Sequence, residues 1–541
     1  MKPRGHGAAA LFTATALAVA VLAAPGTSQA SSGHFPHDSR ASLPRTIVTT
    51  DGEADDTNSM RRFLYYTDEI DVAGLVYSSS VHHWKGDGVH SLTQAKDAGI
   101  ITSFAGETAG TPEKSADAKI WRWNPDPWIE QEITQYDKIL PNLRKHDPRY
   151  PSAQELRSKV AVGNVDFEDD FSSDTPGSNL IKAALLDNDR RDLWLQAWGG
   201  QNTIARALKS IEDQYQGSPR WTAIRAKVAH KAVIATIGNQ DNAYTDYIGR
   251  AWPDIRVYNW GFSFTAWTGG KTTAAIPENL KPYYKNTFWK PNIKFGHGPL
   301  LDGYHLIGDG QHLKGESEAP GWQPGLAGVK YDLATWRLYD FLGPFERYDF
   351  LSEGDTPAFL ALIDNGLRFL DDPTLGSWGG RFASKATAPN QFTPQGDVNP
   401  VTGVAEPAYS LYRWVADADD DFAARADWGT TSRYSRANHA PTVRIPKQDL
   451  TAKPGQVVDV RAQVTDPDGD HVVSTWAPYT EAGTTSAAPA VRAMSHGSDQ
   501  TARVTVPVDA TTGQRIVINL TATDDARHSL TRYGQVVINV C

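Results

Sequence analysis

RTIVTTDGEADDTNSMRRFLYY, residues 45–66, joins an apolar run to an amphipathic one through a short acidic segment. The run TIVTT is rich in β-branched residues and predicts a buried strand. After it, Met60, Phe63, Leu64 and Thr67 follow the i, i+3, i+4, i+7 spacing of a helix that packs one face against a sheet. A strand followed by such a helix is typical of a βαβ unit.

The same alternation continues along the chain to about Arg436, with the apolar runs DVAGLVYSS, IITSF, LWLQAW, KAVIATI and IRVYNW and the helical stretch TIARALKSI. It predicts an α/β domain, residues 44–436, built on a mainly parallel sheet. From residue 437 to 541 the helical signals disappear, and short Val- and Thr-rich runs alternate with turn residues. That pattern predicts an all-β, immunoglobulin-like sandwich.

Length, charge and the amino terminus limit the class of protein. A chain of 541 residues exceeds the usual size of one core, and its net charge of −10 without a Lys/Arg stripe argues against nucleic-acid binding. Residues 1–30 combine Lys2 and Arg4, an apolar run and the ending SQA, which predicts a signal peptide, with a flexible tail at 31–43. We therefore expect a secreted protein that is not membrane-bound in its mature form. The sole cysteine, Cys541, excludes an intramolecular disulfide.

The acidic segment contains the first candidate site. Asp51 ends the predicted strand, and Asp55 and Asp56 begin the predicted helix, so the three carboxylates should converge at the carboxyl edge of the sheet. Helix capping explains one such aspartate, whereas clustered carboxylates favour a neutralising cation. Oxygen-only ligands favour calcium or magnesium over zinc. Spacing alone leaves metal binding and a capping or turn role as alternatives.

Three segments resemble motifs of the nucleoside hydrolases, in the same order along the chain. Asp51–Asp56 is similar to the motif D-x-D-P-G-x-D-D, except that Thr49 replaces the first aspartate and Gly52-Glu53 replace Pro-Gly. AWGGQN, residues 197–202, resembles the loop P-T-G-G-x-T-N, and EGDTPAFLAL, residues 353–362, resembles the late H-D-P motif. The sequences of these segments resemble a secreted branch of this superfamily that is associated with cellulose-binding proteins of bacterial polysaccharide degraders.

The resemblance implies a calcium site and a set of roles. Calcium would be held by Asp51, Asp56, Asp355 and the backbone carbonyl of Trp198, with Asp51 as the general base. Asp55 and Asp355 would hold furanose hydroxyls. Gly354 stands where many members of the family have a histidine, so the general acid stays open among four residues: Glu353, Glu53, His82 and His83.

Further residues are candidates for contact with a substrate. Asn202 ends the AWGGQN segment, and Asn239 lies in GNQDN, residues 238–242, after another predicted strand. Trp84 and Trp378 neighbour strand-end or glycine-rich segments, where indole rings can stack on sugars. Core packing of the tryptophans and a plain turn at GNQDN remain the alternatives.

Two functions follow as hypotheses. The first is a calcium-dependent hydrolase of N- or O-linked glycosyl bonds in a furanose-containing or plant-derived saccharide. The second is a carbohydrate-binding protein with little or no turnover, for which cellulose is one ligand. In either case the partner is a carbohydrate or a nucleoside-like small molecule.

Overall fold

The structure is a computed structural model that describes residues 42–102, 117–263, 267, 275–311 and 346–541. The predicted signal peptide and most of the predicted tail lie outside these residues. Residues Arg40–Cys541 form one compact unit, so the boundaries predicted at 44–436 and 437–541 stay a prediction. Among the described residues, no helix is long and apolar enough to cross a membrane.

An eight-stranded sheet forms the amino-terminal part of this unit. Its order is β3-β2-β1-β4-β5-β6-β8-β7, and every pair is parallel except β7 with β8. The strands are β1 (Arg45–Thr50), β2 (Asp71–Tyr77), β3 (Val160–Val162), β4 (Leu193–Ala197), β5 (Ala232–Thr236), β6 (Arg256–Asn259), β7 (Phe382–Lys385) and β8 (Ala388–Pro394). The mainly parallel sheet predicted from the alternating runs is confirmed.

Helices cover both faces of this sheet. Val48 of β1 lies in a core with the first and third helices, whereas its neighbour Ile47 lies in a core with the fifth, sixth and seventh. Strands buried on both faces read as continuous apolar runs, as TIVTT does. The helices are α1 (Ala54–Leu64), α2 (Leu92–Asp97), α3 (Trp128–His146), α4 (Ala153–Arg157), α5 (Pro176–Leu186), α6 (Asn202–Tyr215), α7 (Trp221–Lys231), α8 (Gly249–Ala251), α9 (Asn286–Trp289), α10 (Pro299–Asp302), α11 (Thr356–Leu360), α12 (Pro407–Tyr412) and α13 (Val415–Thr430).

One predicted run does not form a strand. The described part of IITSF, residues 100–102, is a bend after α2, in which Ile101 is buried beside Trp84 and Phe167. An apolar run of this length serves equally well as packing for a loop, so periodicity could not separate the two. Its last two residues, 103 and 104, lie outside the described part of the chain.

Two four-stranded sheets form the carboxyl-terminal sandwich, in the orders β11-β13-β16-β15 and β12-β18-β17-β14. Alternate residues such as Val460, Ala462 and Val464 point into a shared core. The strands are β11 (Thr442–Arg444), β12 (Asp449–Ala452), β13 (Val457–Thr465), β14 (Val472–Pro478), β15 (Ala490–His496), β16 (Asp499–Thr505), β17 (Arg515–Asp524) and β18 (Thr531–Val540), and a separate two-stranded ribbon pairs β9 (Asp397–Val398) with β10 (Ala405–Glu406). The predicted all-β region is confirmed.

The sandwich packs on α13 through buried charges. DADDD, residues 417–421, reads in the sequence as a solvated helix start, and that expectation is wrong. Asp419 pairs with Arg62 of α1 at 2.8 Å, and Asp421 pairs with Arg532 of β18 at 2.8 Å. Both aspartates are buried because distant parts of the chain supply the matching guanidinium groups.

Candidate metal centre

The strand order places the candidate site at one point of the sheet. Strand β1 lies between β2 and β4, and the chain runs outward from β1 in opposite directions on its two sides. Asp51 directly follows β1, and Trp198 directly follows β4. Open α/β sheets bind ligands at the carboxyl ends of the strands where the order reverses, so both predicted segments lie at that position.

A tight turn carries the chain from β1 into α1. Gly52 has φ 82°, and a Cβ there would lie 2.8 Å from the indole nitrogen of Trp128, so only glycine fits. Glu53 occupies the N-cap position of α1 but forms no side-chain capping bond. Asp55 and Asp56 lie in the first turn, and Asp56 accepts a hydrogen bond from the hydroxyl of Thr50. Side-chain capping therefore does not account for the acidic segment.

Five carboxylates gather at this turn, and each residue is at most 5% exposed. Oxygens of Asp51 and Glu53 lie within 4.8 Å of each other and of a nitrogen of His83, and Glu53, Asp55 and Asp56 form a second group of the same size. Asp355 is outside both groups, yet its charge is the strongest neighbouring charge acting on Asp56. The structure thus brings the distant Asp355 to the acidic turn, as predicted.

Several carboxylate oxygens of the cluster accept no hydrogen bond from the described residues. Among the described residues, Oδ1 of Asp51, Oε1 of Glu53 and both carboxylate oxygens of Asp355 are buried and accept no hydrogen bond. The Ser59 hydroxyl lowers the pKa of Asp355 without reaching hydrogen-bond geometry. Buried carboxylate oxygens in this state are costly unless a cation is present, and a donor set of five carboxylates beside a single histidine suits a hard cation. The residues therefore fit calcium.

The electrostatics separate Asp51 from its neighbours. Burial opposes ionisation of Asp51, but the nearby ring of His83 and the hydrogen bond from Ser80 hold its pKa below the ordinary value. Burial raises the pKa of Glu53 to about 8, with the charges of Asp55 and Asp51 adding to the effect. Burial and neighbouring carboxylates also raise the pKa values of Asp56 and Asp355. Of Asp51, Glu53, Asp56 and Asp355, Asp51 is thus the one that most readily stays ionised without a cation.

The Trp198–Gly200 loop lies directly against Asp51. A Cβ at Gly199 would be 2.7 Å from Cγ of Asp51, so the backbone approaches the carboxylate as closely as glycine allows. The carbonyl of Trp198, the predicted ligand, accepts a hydrogen bond from Nε2 of Gln240 at 2.7 Å. Its second lone pair can still serve a cation, so this ligand stays a prediction.

The two predicted asparagines differ in their placement. Asn202 is fully buried, and its amide donates to Oγ of Ser79 and to the carbonyls of Asn164 and Asp170 at 2.8–3.0 Å. Its donors are used to join loops, so the structure assigns Asn202 a positioning role rather than direct substrate contact. Asn239 is exposed and accepts a hydrogen bond from Gln201 at 3.0 Å, which leaves its amide group available.

The two preferred tryptophans are core residues in this conformation. Trp84 is 0% exposed and packs on Phe167 with ring centroids 5.3 Å apart. Trp378 is also 0% exposed, and its indole nitrogen lies 3.4 Å from the Tyr533 hydroxyl in the sandwich. Neither ring presents a face to a sugar, so the core-packing alternative is the correct one for both. Adjacent glycines and strand ends do not reveal such burial.

The contacts of the candidate residues show which of them are available as a general acid. Glu353 is fully buried, pairs with Arg62 at 3.0 Å and accepts a hydrogen bond from the Tyr304 hydroxyl, so it belongs to a structural network. His83 lies beside the cluster, with Nδ1 3.7 Å from Oδ2 of Asp51 and 3.6 Å from Oε1 of Glu53. His82 is half-buried and acts on Asp51 through its charge.

Two residues of the site were missed by sequence reasoning. Ser80 donates a hydrogen bond to Oδ2 of Asp51, and Arg122, with φ 49°, lies 3.8 Å from Oε1 of Glu53. Ser80 follows β2 by three residues and therefore had a signal, because the ends of neighbouring parallel strands meet at one edge. Arg122 comes from an irregular segment, for which no sequence pattern gives the position.

Comparisons with known proteins agree with the fold. A nucleoside hydrolase-related hypothetical protein from Saccharophagus degradans, associated with carbohydrate metabolism, is 24% identical, with a TM-score of 0.61, over 92% of this chain and all of that one. An S-layer protein fragment, SbsC domains 4 and 5, matches 18% of this chain and 50% of its own at 18% identity and a TM-score of 0.13. Titin domain M4 matches 19% of this chain and 98% of its own at 13% identity and a TM-score of 0.14. The last two scores are too low to support a conclusion.

Family comparison covers both parts of the molecule. No curated protein matches the chain. The C-terminal domain of the cellulose-binding protein Sde0182 matches residues 457–540. The nucleoside hydrolase-like domain of cellulose-binding Sde182 matches residues 45–382, more than half of the chain and the whole of the acidic cluster. The chain therefore belongs to the cellulose-binding Sde182 family with a nucleoside hydrolase-like domain.

Proposed function

We propose that this protein is a calcium-dependent hydrolase of glycosyl bonds, N- or O-linked, in a furanose-containing or plant-derived saccharide. The observation that carries the proposal is the buried cluster of Asp51, Glu53, Asp55, Asp56 and Asp355 at the strand-order reversal. Among the described residues, no hydrogen bond reaches Oδ1 of Asp51, Oε1 of Glu53 or the carboxylate of Asp355. Membership of a nucleoside hydrolase-like family supports it. The proposal includes export from the cell, which the sequence of residues 1–30 supports.

Calcium bound in the cluster would acidify a water molecule and neutralise the carboxylates around it. Asp51 accepts one proton of the attacking water, and the water oxygen forms a bond to the anomeric carbon as the glycosyl bond breaks. The leaving nitrogen or oxygen keeps the electron pair of that bond and takes up a proton from solvent. Ser80 and His83 hold Asp51 in place for this step. Under this proposal Asp55 and Asp355 bind sugar hydroxyls, and the nearby carboxylates stabilise the positive charge of an oxocarbenium-like transition state.

Three observations favour a second candidate function, carbohydrate binding without turnover. Gly354 has no side chain to protonate a leaving group, and its carbonyl accepts a hydrogen bond from Oγ of Ser263 at 2.6 Å. Glu353 is committed to Arg62. The family description names cellulose binding rather than a reaction. Under this alternative the metal centre has a structural role, and cellulose or a related glucan is the ligand.

The experiment compares the parent protein with Asp51→Ala on p-nitrophenyl furanosides, nucleosides and cello-oligosaccharides, each in calcium and in EDTA. Asp137→Ala is a matched control, because Asp137 is 52% exposed on α3. Calcium-dependent turnover that Asp51→Ala loses and Asp137→Ala keeps is the expected result. Retention on insoluble cellulose with no turnover of any substrate would replace the hydrolase by the binding function.

A further inference from the structure

The family motif and this chain differ in where they place acidic residues. Thr49 stands in place of the first aspartate of the motif. The Thr49 side chain is fully buried in β1 and donates to the carbonyl of Gln196 at 3.2 Å. It therefore cannot replace a carboxylate. Glu53, where the motif has glycine, supplies a negative charge four residues further along.

Glu53 lies at the centre of the cluster. Of the three groups of closely spaced ligand atoms found among the described residues, two lie at this turn, one with Asp51 and His83 and one with Asp55 and Asp56, and Glu53 is the residue that they share. Its side chain is 6% exposed, and its Oε1 accepts no hydrogen bond within the described part of the chain. At the N-cap of α1 it also forms no capping bond. Glu53 thus bridges the cluster without the structural role that its position predicts.

The two basic neighbours of Glu53 do not donate a hydrogen bond to this oxygen. Nδ1 of His83 lies 3.6 Å away and Nη1 of Arg122 lies 3.8 Å away, beyond hydrogen-bond distance. A buried carboxylate oxygen without a close partner is unfavourable, and a bound cation removes that penalty. The oxygen faces the same carboxylates that fit calcium, so a cation there is within reach of Glu53 and Asp51 together.

We propose that Glu53 is a direct ligand of the divalent cation, in addition to the ligands that the family motif supplies. The inference rests on the cation site of the proposed function. Calcium affinity rises with the number of charged ligands, so the extra carboxylate makes the site tighter and favours calcium or a trivalent lanthanide over magnesium, which tolerates few carboxylates. Glu53 thereby replaces the acidic position that the chain lacks at Thr49.

Terbium luminescence tests the proposal without any substrate. Trp128 is a suitable sensitiser because its indole nitrogen lies against Gly52, beside the cluster. The variants are Glu53→Gln, which removes the charge, and Glu53→Asp, which keeps the charge but shortens the side chain by one methylene. Glu278→Gln, at a carboxylate 87% exposed, is the control. All proteins carry Asp470→Asn, because Asp466, Asp468 and Asp470 form a separate, partly exposed carboxylate group in the sandwich.

Each titration gives an affinity, and lifetimes in H2O and D2O give the number of water molecules on the ion. We expect both Glu53 variants to weaken terbium binding by about tenfold or more and to add about one bound water, because water fills a lost ligand position. Glu278→Gln should match the parent. Unfolding curves in EDTA check that the variants fold, and Glu53→Asp alone suffices if Glu53→Gln does not fold.

Three results would overturn the inference. Parental affinity and water number in Glu53→Gln would show that Glu53 is not a ligand. Loss of affinity in Glu53→Gln but not in Glu53→Asp would show that the charge acts from a distance. A parent protein that binds no terbium would remove the cation site itself and the proposed function with it, whereas the first two results leave that function intact.

Discussion

Gly199→Ala perturbs the candidate metal centre without changing any charge. The new Cβ would lie 2.7 Å from Cγ, 2.9 Å from Cβ and 3.0 Å from Oδ1 of Asp51. Ordinary carbon contacts begin near 3.5 Å, so the loop or the carboxylate must move by roughly half an ångström or more. Asp51 is held by Ser80 and the end of β1, so movement disturbs the position predicted to bind the cation.

Overpacking of this kind costs about 1–3 kcal/mol of unfolding free energy. We expect that loss in EDTA, together with a weakening of calcium binding by about tenfold or more, since displaced ligand geometry lowers metal affinity. Urea denaturation in EDTA measures the first quantity, and calorimetric titration with calcium measures the second. Gly217→Ala is the matched control, because a Cβ there has no heavy atom within 4 Å and the residue has no positive φ.

Gly217→Ala should leave calcium binding unchanged and should leave stability equal or slightly higher, because alanine restricts the unfolded chain. The reasoning is refuted if Gly199→Ala matches Gly217→Ala in both measurements. It is refuted in part if only stability falls, because the close approach of the loop would then be a packing feature without influence on the cation.

Three further predictions concern residues outside the cluster. Burial and neighbouring charges such as that of Asp241 raise the pKa of Asp169 to about 8, so its contribution to stability is full below about pH 4 and is lost as pH rises through 8. In urea denaturation at pH 4–8, Asp169→Asn should reduce the parent's loss of unfolding free energy by up to about 1.4 kcal/mol per pH unit. Equal slopes for parent and variant would contradict this. Arg532→Met breaks the 2.8 Å pair with Asp421 and should lower the unfolding free energy by about 2–3 kcal/mol. The loss is smaller than for a fully unpaired buried charge because Arg425 still pairs with Asp421. An unchanged denaturation midpoint would disprove the role of this pair. Asn202→Ala removes the donor to the Asp170 carbonyl and the acceptor of the Ser78 hydroxyl, while the Asn164 carbonyl keeps its bond from Ser79. It should cost about 2–4 kcal/mol in the same assay, whereas a loss near zero would mean that water replaces the amide.

Local patterns were sufficient for the fold. The β-branched run at 46–50 and the helical spacing from Met60 to Thr67 depend on neighbours in sequence, and both elements form. The helix ends at Leu64, however, and Thr67 lies in the turn that follows. The buried aspartates of α13 show where such patterns fail. DADDD reads as a solvated surface because its partners, Arg62 and Arg532, lie more than one hundred residues away in either direction.

The candidate site divides in the same way. Asp51, Asp55 and Asp56 were predicted from their spacing, and the convergence of Asp355 was predicted from resemblance. Glu353 and Glu53 were both candidates for the general acid. The structure pairs Glu353 with Arg62 and places Glu53 inside the cluster. The direction of a side chain at a turn depends on the backbone angles φ and ψ. A family motif predicts these angles only at positions where the chain has the same residues as the motif.

The part played by the sandwich could not be predicted at all. Tyr479, Tyr533 and Val537 of the sandwich belong to the same core as Phe359 and Trp378 of the sheet domain. Their alternation along the strands indicates which residues are buried but not against which surface. A shared core of this kind indicates that the two parts unfold together.

Anomalous diffraction from crystals soaked in terbium tests the central claim most directly, because it locates the cation without reference to activity. The account predicts a peak about 2.3–2.6 Å from carboxylate oxygens that include those of Asp51, directly after β1, and Asp355, directly before α11. A structure with full terbium occupancy elsewhere and no peak among these carboxylates would contradict it.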